Sequence, residues 1–286
     1  MAEPLFSSPT EASAFCATLT GPAAEWSVAH YTTTESTNEL AVAAARSGAP
    51  HGTTFTADKQ TAGRGRRGRS WHSPRGQGLL FSTVVRGTGL TPERLGWVAL
   101  SAGHACAEAI RIHGDIDVRL KWPNDLVVVP GKGKHPPWLK LGGILVESSL
   151  TEGMEAAYAV VGVGINVLHD VPDLPGDART PPTSLRLLAH RKLSRKNVFR
   201  RILKQLSKHL AWTRDGAAFT EVSDQIRNAF AHWWNGYDLH VYTVGGERNG
   251  VFAGLDHLGR LCLRDAQHGI ETLSDAEWLD AQQINP

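Results

Sequence analysis

Cysteine, methionine and tyrosine are scarce, with 3, 2 and 4 residues in a chain of 286. Cys16, Cys106 and Cys262 lie far apart and form no C-x-x-C pair, which argues against a zinc ribbon or a disulfide framework. A reducing compartment, the cytoplasm, is therefore the expected location. No stretch approaches the ~20 uninterrupted apolar residues of a membrane span, and the N-terminus lacks the basic and apolar regions of a signal peptide. Charge of one sign is also missing. Lys and Arg total 30 against 28 Asp and Glu, so the net +2 does not describe a surface built to coat nucleic acid. The first thirty residues, with room for one short helix at Thr10–Leu19, are too few for a three-helix helix-turn-helix domain. DNA binding is accordingly not expected.

What is present is concentrated at Gly63-Arg64-Gly65-Arg66-Arg67-Gly68-Arg69-Ser70-Trp71. Glycines give this stretch a permissive backbone, and arginines give it a dense array of guanidinium donors. Like charges at ~4 Å repel by roughly 4 kcal/mol near a protein surface, so the loop is expected to be mobile until a carboxylate or phosphate orders it. Gly63-x-Gly65-x-x-Gly68 also fits the dinucleotide fingerprint. The intervening arginines, and the Ser-Trp-His-Ser-Pro that follows where an apolar helix should begin, speak against that reading. A solvated basic loop, a nucleic-acid backbone contact and a small-molecule anion site remain as alternatives from these residues alone.

Before the loop, Ser36-Thr37-Asn38-Glu39 has the form of a capping box opening an Ala-rich helix that ends by Gly48 and Pro50. Thr53–Ala57 reads as a strand that hands over to the loop at Gln60, and Gly78–Val85 reads as a second strand. Glu93–His113 has the period of a long buried helix, on which His104 and His113 show no metal-like spacing. Val118–Trp122 and Leu126–Val129 form a hairpin around Pro123-Asn124-Asp125. A polar loop, Pro130–Trp138, follows. Lys140 opens Leu141–Glu147, a strand apolar on both faces, so its ammonium at the core edge needs an anion or water. Ala157–Val167 is a strand with Gly162 and Gly164 permitting close approach and Asn166 near its end. Arg186–Arg214 contains ten Lys/Arg and no acids, yet keeps a helical apolar stripe, the pattern of an amphipathic helix with its basic face in solvent. Phe219–Trp233 is one more helix. After Gly236, closely spaced hairpins at Leu239–Tyr242, Arg248–Gly254, Arg260–Arg264 and Gly269–Leu273, separated by turns that include Ala266–Gly269, read as a small β-barrel.

Five motifs in series, Ser36-Thr37-Asn38, Gln60 to Trp71, Lys121-Trp122-Pro123-Asn124-Asp125, Lys140 to Glu147 and Gly162-Val163-Gly164-Ile165-Asn166-Val167, closely resemble those of biotin protein ligases. The resemblance runs from about Tyr31 to the C-terminus and is nearest to the short, monofunctional bacterial type. It implies an α+β fold, with a mixed β-sheet packed with helices like the class II synthetase and biotin–lipoate ligase core, followed by a small SH3-like β-barrel. The corresponding division is an N-terminal segment at 1–30, a catalytic domain at 31–235 and the barrel at 236–286. The loop Pro130–Trp138 is longer than usual for the family and the linker Asp170–Pro182 is proline-rich, but neither interrupts a motif.

The same resemblance implies two reaction steps. Biotin carboxylate attacks the α-phosphorus of ATP, and a lysine of a biotin carboxyl carrier protein or domain, of acetyl-CoA carboxylase or a related carboxylase, then attacks the biotinyl-5′-AMP. Biotin would be held by Ser36, Thr37, Asn38, Gln60, Gly63, Arg64, Gly65, Arg66, Lys140 and Gly143. ATP would meet Arg67, Arg69, Trp71, Lys121, Asn124, Asp125, Lys140 and Asn166, with Asp125 the contact for Mg2+. Lys140, Arg66 and Arg64 would carry the electrostatic catalysis that two reacting anions require. Lipoate ligases and octanoyltransferases share the core fold without the Gly-Arg-Gly-Arg-Arg-Gly run. A nucleic-acid-binding repressor using the arginine loop is the rival from another class.

Overall fold

A computed structural model of the chain describes residues 3–114, 116–129, 138–150, 156–176, 178–189, 193–265 and 269–283. Its larger part is a seven-stranded mixed sheet in the order β1-β2-β3-β7-β6-β5-β4. These strands span Ser27–Tyr31 (β1), Thr53–Ala57 (β2), Gly78–Val85 (β3), Val118–Lys121 (β4), Asp125–Val128 (β5), Leu139–Leu150 (β6) and Ala156–Asn166 (β7). Only β1 and β2 run parallel, joined by helix α2 (Thr37–Arg46), the crossover that a parallel pair needs. A short helix α1 (Pro9–Cys16) precedes β1, capped by Ser8 accepting from the Glu11 N–H.

Strict alternation along β7 explains how the sheet is used. Val161, Val163 and Ile165 point to one face, where α3 (Leu95–Gly114) and α5 (Arg195–His209) lie over the central strands. Gly162 and Gly164 point to the other, where α2 and Trp71 approach so closely that an added Cβ would fall 2.0 Å from Asn38 and 2.7 Å from Trp71. The first face carries the main core, with Phe81 against Phe199 at 5.1 Å between ring centroids. The N-terminal residues Leu5, Phe6, Ala12, Phe15 and Leu19 are buried in that same core, Phe15 stacking on Phe199.

The basic stretch after Ser184 is not one helix. It forms the single turn α4 (Leu185–Leu188), the amphipathic α5 and a 3₁₀ turn at Ala211–Thr213 that buries Trp212, before α6 (Phe219–Trp234). Nor does its basic face lie wholly in solvent. Arg195 is 6% exposed and its guanidinium donates to Asp58 at 3.2 Å and to the Gly78 carbonyl. Asp58 also accepts from the Leu5 N–H and faces His30, and although burial alone would raise its carboxyl pKa, these partners hold it below the usual range. Removing one partner of such a buried pair costs about 3–5 kcal/mol. This network ties the N-terminal segment, β1, the end of β2 and α5 together beneath the strand-to-loop handover.

The C-terminal part is a five-stranded antiparallel sheet in the order β11-β10-β9-β8-β12. Its strands are Tyr237–Thr243 (β8), Gly246–Leu255 (β9), Leu261–Asp265 (β10), Gly269–Leu273 (β11) and Trp278–Gln283 (β12). The first four follow the hairpin reading, and β12, paired with β8, is an addition to it. The expected turn at Ala266–Gly269 and the loop at Pro130–Trp138 fall largely outside the described residues, as do Lys132 and Lys134 of that loop. Trp138 itself packs on Trp234 at 4.6 Å.

Candidate active site

One cavity of about 740 Å³ opens on the glycine-bearing face of the large sheet. Every site residue expected from sequence lines it, except Gly63. Gly63 acts from behind: an added Cβ would meet the Trp71 carbonyl oxygen at 2.3 Å, so glycine is what lets the two ends of the loop pair.

At the inner end, Ser36 begins α2 but its side chain makes no capping bond, so the expected capping box does not form. Gln60 instead caps the first N–H of the helix: its Oε1 accepts from the Thr37 N–H at 2.8 Å and from the Thr37 hydroxyl at 2.9 Å. Ser82 of β3, absent from the sequence reading, joins here, with Oγ 2.8 Å from Thr37 Oγ1 and 2.5 Å from Asn38 Oδ1. With the Thr37 hydroxyl proton given to Gln60 and the Ser82 proton to Asn38, both hydroxyl oxygens keep lone pairs able to accept from a ligand N–H. Asn38 in turn donates to Glu147 at 2.8 Å.

The arginine loop is a folded hairpin. Trp71 N–H donates to the Gly63 carbonyl at 2.8 Å and Gly65 N–H to the Arg69 carbonyl at 2.6 Å, around a 3₁₀ turn at Arg66–Gly68. Arg67 sits at φ 57°, left-handed for a residue with a side chain, which costs roughly 1–2 kcal/mol. The loop was expected to be ordered by an external anion, but the protein's own carboxylates hold it. Arg64 makes two bonds to Glu147 at 2.8 and 2.9 Å. Arg67 pairs with Asp275 and Glu277, both at 2.6 Å, and Arg66 pairs with Asp275 while donating to Asn124 at 2.9 Å. Burial, followed by the neighbouring charge of Arg67, pushes the Arg66 guanidinium pKa down. Arg69 donates to the Glu277 carbonyl at 3.0 Å. Asp275 and Glu277 belong to the segment between β11 and β12, so the C-terminal sheet closes one side of the cavity.

The far wall comes from β4 to β7. Lys140 Nζ lies 2.7 Å from Asp125 Oδ1. Simple alternation from Gly142 would turn Lys140 toward the helices. A bulge, where Leu126 and Val127 face Gly142 and Lys140 across one extra residue, turns it into the cavity. The proline-rich segment fixes its backbone, with Lys140 N–H donating to Pro181 and Thr183 N–H to Lys140, both at 2.8 Å. Lys121 is 4% exposed, over the Trp138 ring at 4.7 Å and 3.4 Å from Thr180 Oγ1. Burial brings its pKa down to about 8 despite Asp125 and Asp280 nearby. Asn124 is occupied structurally, donating to the Ile144 carbonyl at 2.8 Å as it accepts from Arg66. Asn166 likewise donates to the Thr183 carbonyl at 3.0 Å. Trp71 packs so close to Gly164 that an added Cβ would fall 2.7 Å from its ring, and Lys140 Nζ lies 6.0 Å from the ring centroid.

Chemically, the cavity has a small polar end rich in hydroxyl and amide groups and a wide cationic end with Arg66, Arg67, Arg69, Lys121 and Lys140. The first suits a neutral ligand with N–H donors and the second suits phosphates. Sequence reasoning missed Ser82, Glu147, Asp275 and Glu277. Glu147 had a signal, as the one acid closing an apolar strand, whereas the other three are adjacent only through tertiary folding.

The model of the biotin/lipoate A/B protein ligase family matches residues 31–166. The chain is 31% identical over 251 residues to the bifunctional ligase/repressor BirA of Bacillus spizizenii, covering 85% of this chain and 70% of that one. It is 31% identical over 235 residues to the biotin–acetyl-CoA-carboxylase ligase of Mycobacterium tuberculosis, covering 80% of each. Among solved structures, the biotin protein ligase from Aquifex aeolicus in complex with biotin and ATP superposes with a TM-score of 0.69 at 26% identity, over 90% of this chain and 98% of that one.

Proposed function

The chain belongs to the biotin protein ligase family, and from that premise we propose that it joins biotin to a lysine of a biotin carboxyl carrier protein through a biotinyl-5′-AMP intermediate. The observation that carries the reading is the two-ended cavity, in which a hydroxyl and amide pocket leads directly to a group of cations. Biotin's neutral ureido ring matches the Thr37, Asn38, Gln60 and Ser82 end, where Asn38 and Gln60 are already oriented by Glu147 and Thr37. Its carboxylate then points toward Arg66 and Lys140.

In the first step the biotin carboxylate attacks the α-phosphorus and the α–β phosphoanhydride bond breaks, releasing pyrophosphate, so two anions must meet. Lys140 spans the carboxylate and the α-phosphate, and its charge offsets their repulsion and the charge that develops on the phosphoryl oxygens. Arg67, Arg69 and Lys121 take the remaining phosphates, and Trp71 stacks beside the adenine. Each of Arg66 and Arg67 exchanges an internal carboxylate partner, Asp275 or Glu277, for the ligand, so their charges are held in position beforehand rather than gathered from solvent. In the second step the acceptor lysine attacks the anhydride carbonyl carbon and AMP leaves. The arginine hairpin covers the adenylate and limits its hydrolysis.

Asp125 fits a magnesium ion held mainly by substrate phosphates, since it puts one carboxylate beside the cationic end of the cavity. There the ion would neutralise phosphate charge. The acceptor is taken to be the carrier domain of acetyl-CoA carboxylase or a related carboxylase. Location in the cytoplasm accords with three free cysteines, and no helix among the described residues is long and apolar enough to cross a membrane.

Biotin-dependent exchange of labelled pyrophosphate into ATP tests the reading. Exchange with biotin, and none with lipoate or octanoate, is the expected outcome. Exchange with lipoate alone would reassign the substrate, and none with any of the three acids would overturn adenylation.

A further inference from the structure

The helix-covered face of the sheet holds a cluster that the ligase reaction does not use. His104 and Glu108 stand one turn apart on α3, so both side chains lie on the same stripe of the helix. His209, the last residue of α5, meets them from the neighbouring helix. His209 Nε2 is 2.7 Å from Glu108 Oε2, and the two imidazole rings cross at 76° with centroids 5.1 Å apart. One donor atom from each of the three residues lies within 4.8 Å of the other two.

From sequence, His104 showed no metal-like spacing, because its partner stands 105 positions away on another helix and only packing brings it near. His113, considered with it, has a side chain outside the described residues. The second observation is electronic. His104 Nδ1 and His209 Nδ1 are both shut off from solvent, with no hydrogen-bond partner among the described residues. His209 as a whole is 6% exposed. At His209 the nitrogen that faces Glu108 is Nε2, so a cation would take the place of the proton shared there and leave Nδ1 as the N–H.

We propose that His104, Glu108 and His209 form a binding site for one divalent transition-metal ion of the zinc class. Two imidazoles and one carboxylate are the donor set that such an ion prefers over magnesium or calcium, which take oxygens. Donor atoms around tetrahedral zinc stand about 3.3 Å apart for bonds of ~2.0–2.1 Å, so the present spread closes by small rotations of side chains already in contact. The Glu108 side chain is 31% exposed, which gives water access to the fourth position. The bound ion fastens the middle of α3 to the C-terminal end of α5, on the face of the sheet opposite the cavity. Its role is therefore structural, holding the layer that supports β3 and β7.

The test uses the full, untagged chain stripped of metal and titrated with zinc alone against a chromogenic chelator. Expected is one ion per chain at micromolar affinity or tighter and a rise in melting temperature. His209→Gln and Glu108→Gln should each weaken that affinity at least tenfold, with circular dichroism and biotin-dependent pyrophosphate exchange retained. Zinc-edge X-ray absorption of the wild-type complex needs no variant and should report two imidazoles with oxygen ligands. Failure to bind a stoichiometric ion, unchanged affinity in both variants, or a shell with sulfur or fewer than two imidazoles would overturn the site.

Discussion

The two faces of the large sheet are made by the same strands and behave as different materials. On β7, residues 161, 163 and 165 are Val, Val and Ile, packed against helices, while 162 and 164 are Gly and Gly, beneath Asn38 and Trp71. One face removes apolar area from water and supplies stability. The other gives up side-chain volume so that polar groups and a ligand can approach the backbone. Neighbouring positions one residue apart thus answer to different constraints, and each face should respond to substitution in its own way.

Lys140→Ala gives the largest effect expected on the cavity face, a fall of about 10²–10³-fold in adenylation with melting near that of the wild type, because the lysine acts on developing charge and buries little apolar surface. Pyrophosphate exchange measures it, and an undiminished rate would remove Lys140 from the chemistry. Next comes a matched pair on β7. Gly162→Ala places a Cβ 2.0 Å from Asn38 Oδ1, so it should weaken biotin binding by roughly tenfold or more, about 1.4 kcal/mol, with modest loss of stability. Ile165→Ala should do the reverse, destabilising by about 2–5 kcal/mol while the folded enzyme retains its biotin affinity. Calorimetric titration and denaturant unfolding on both variants would erase the distinction between faces if the two gave the same pattern.

The smallest effect is a pH dependence. Burial brings Lys121 down to about 8, so its charge is present below that pH and is lost above it. If that cation receives phosphate, kcat/KM for ATP falls about tenfold per pH unit beyond 8, reporting the free enzyme. Lys121→Arg should move the limb upward, and a limb that stays near 8 in this variant would assign it to another group. Stability runs the other way. The folded state holds fewer protons than the unfolded state between about 8 and the ordinary lysine value, so the penalty of burying the charge is full below 8 and is relieved as pH rises through that window.

The comparison also sorts what could be read from sequence. Apolar period and turn residues marked most of the strands and helices of both parts, since those signals are local. β1 (Ser27–Tyr31) and β12 (Trp278–Gln283) escaped because each is a short edge strand with little pattern of its own. Arg195 was read as part of a solvated basic face, but tertiary contact with Asp58 buries it. The Ser36 capping box also did not form: the Ser36 side chain makes no bond to the helix, and the helix N–H that is capped, that of Thr37, is taken by Gln60 arriving from beyond the end of β2.

Within the cavity, the residue types needed for anion chemistry stood in the motifs themselves, and so did the glycines that let chains approach. Their pairing did not. That Lys140 faces the cavity depends on a bulge between β5 and β6, and a bulge is a property of two strands together. That the arginines are held by Asp275 and Glu277 depends on a second sheet folding back across more than two hundred residues. Sequence by itself determined most of the elements, which side chains carry the charge and which family the chain resembles, because propensity, period and motif are written along the chain. Tertiary structure alone decided which carboxylate meets which guanidinium, which way Lys140 points and that His104 lies beside His209, because those are distances in space and no local pattern encodes them.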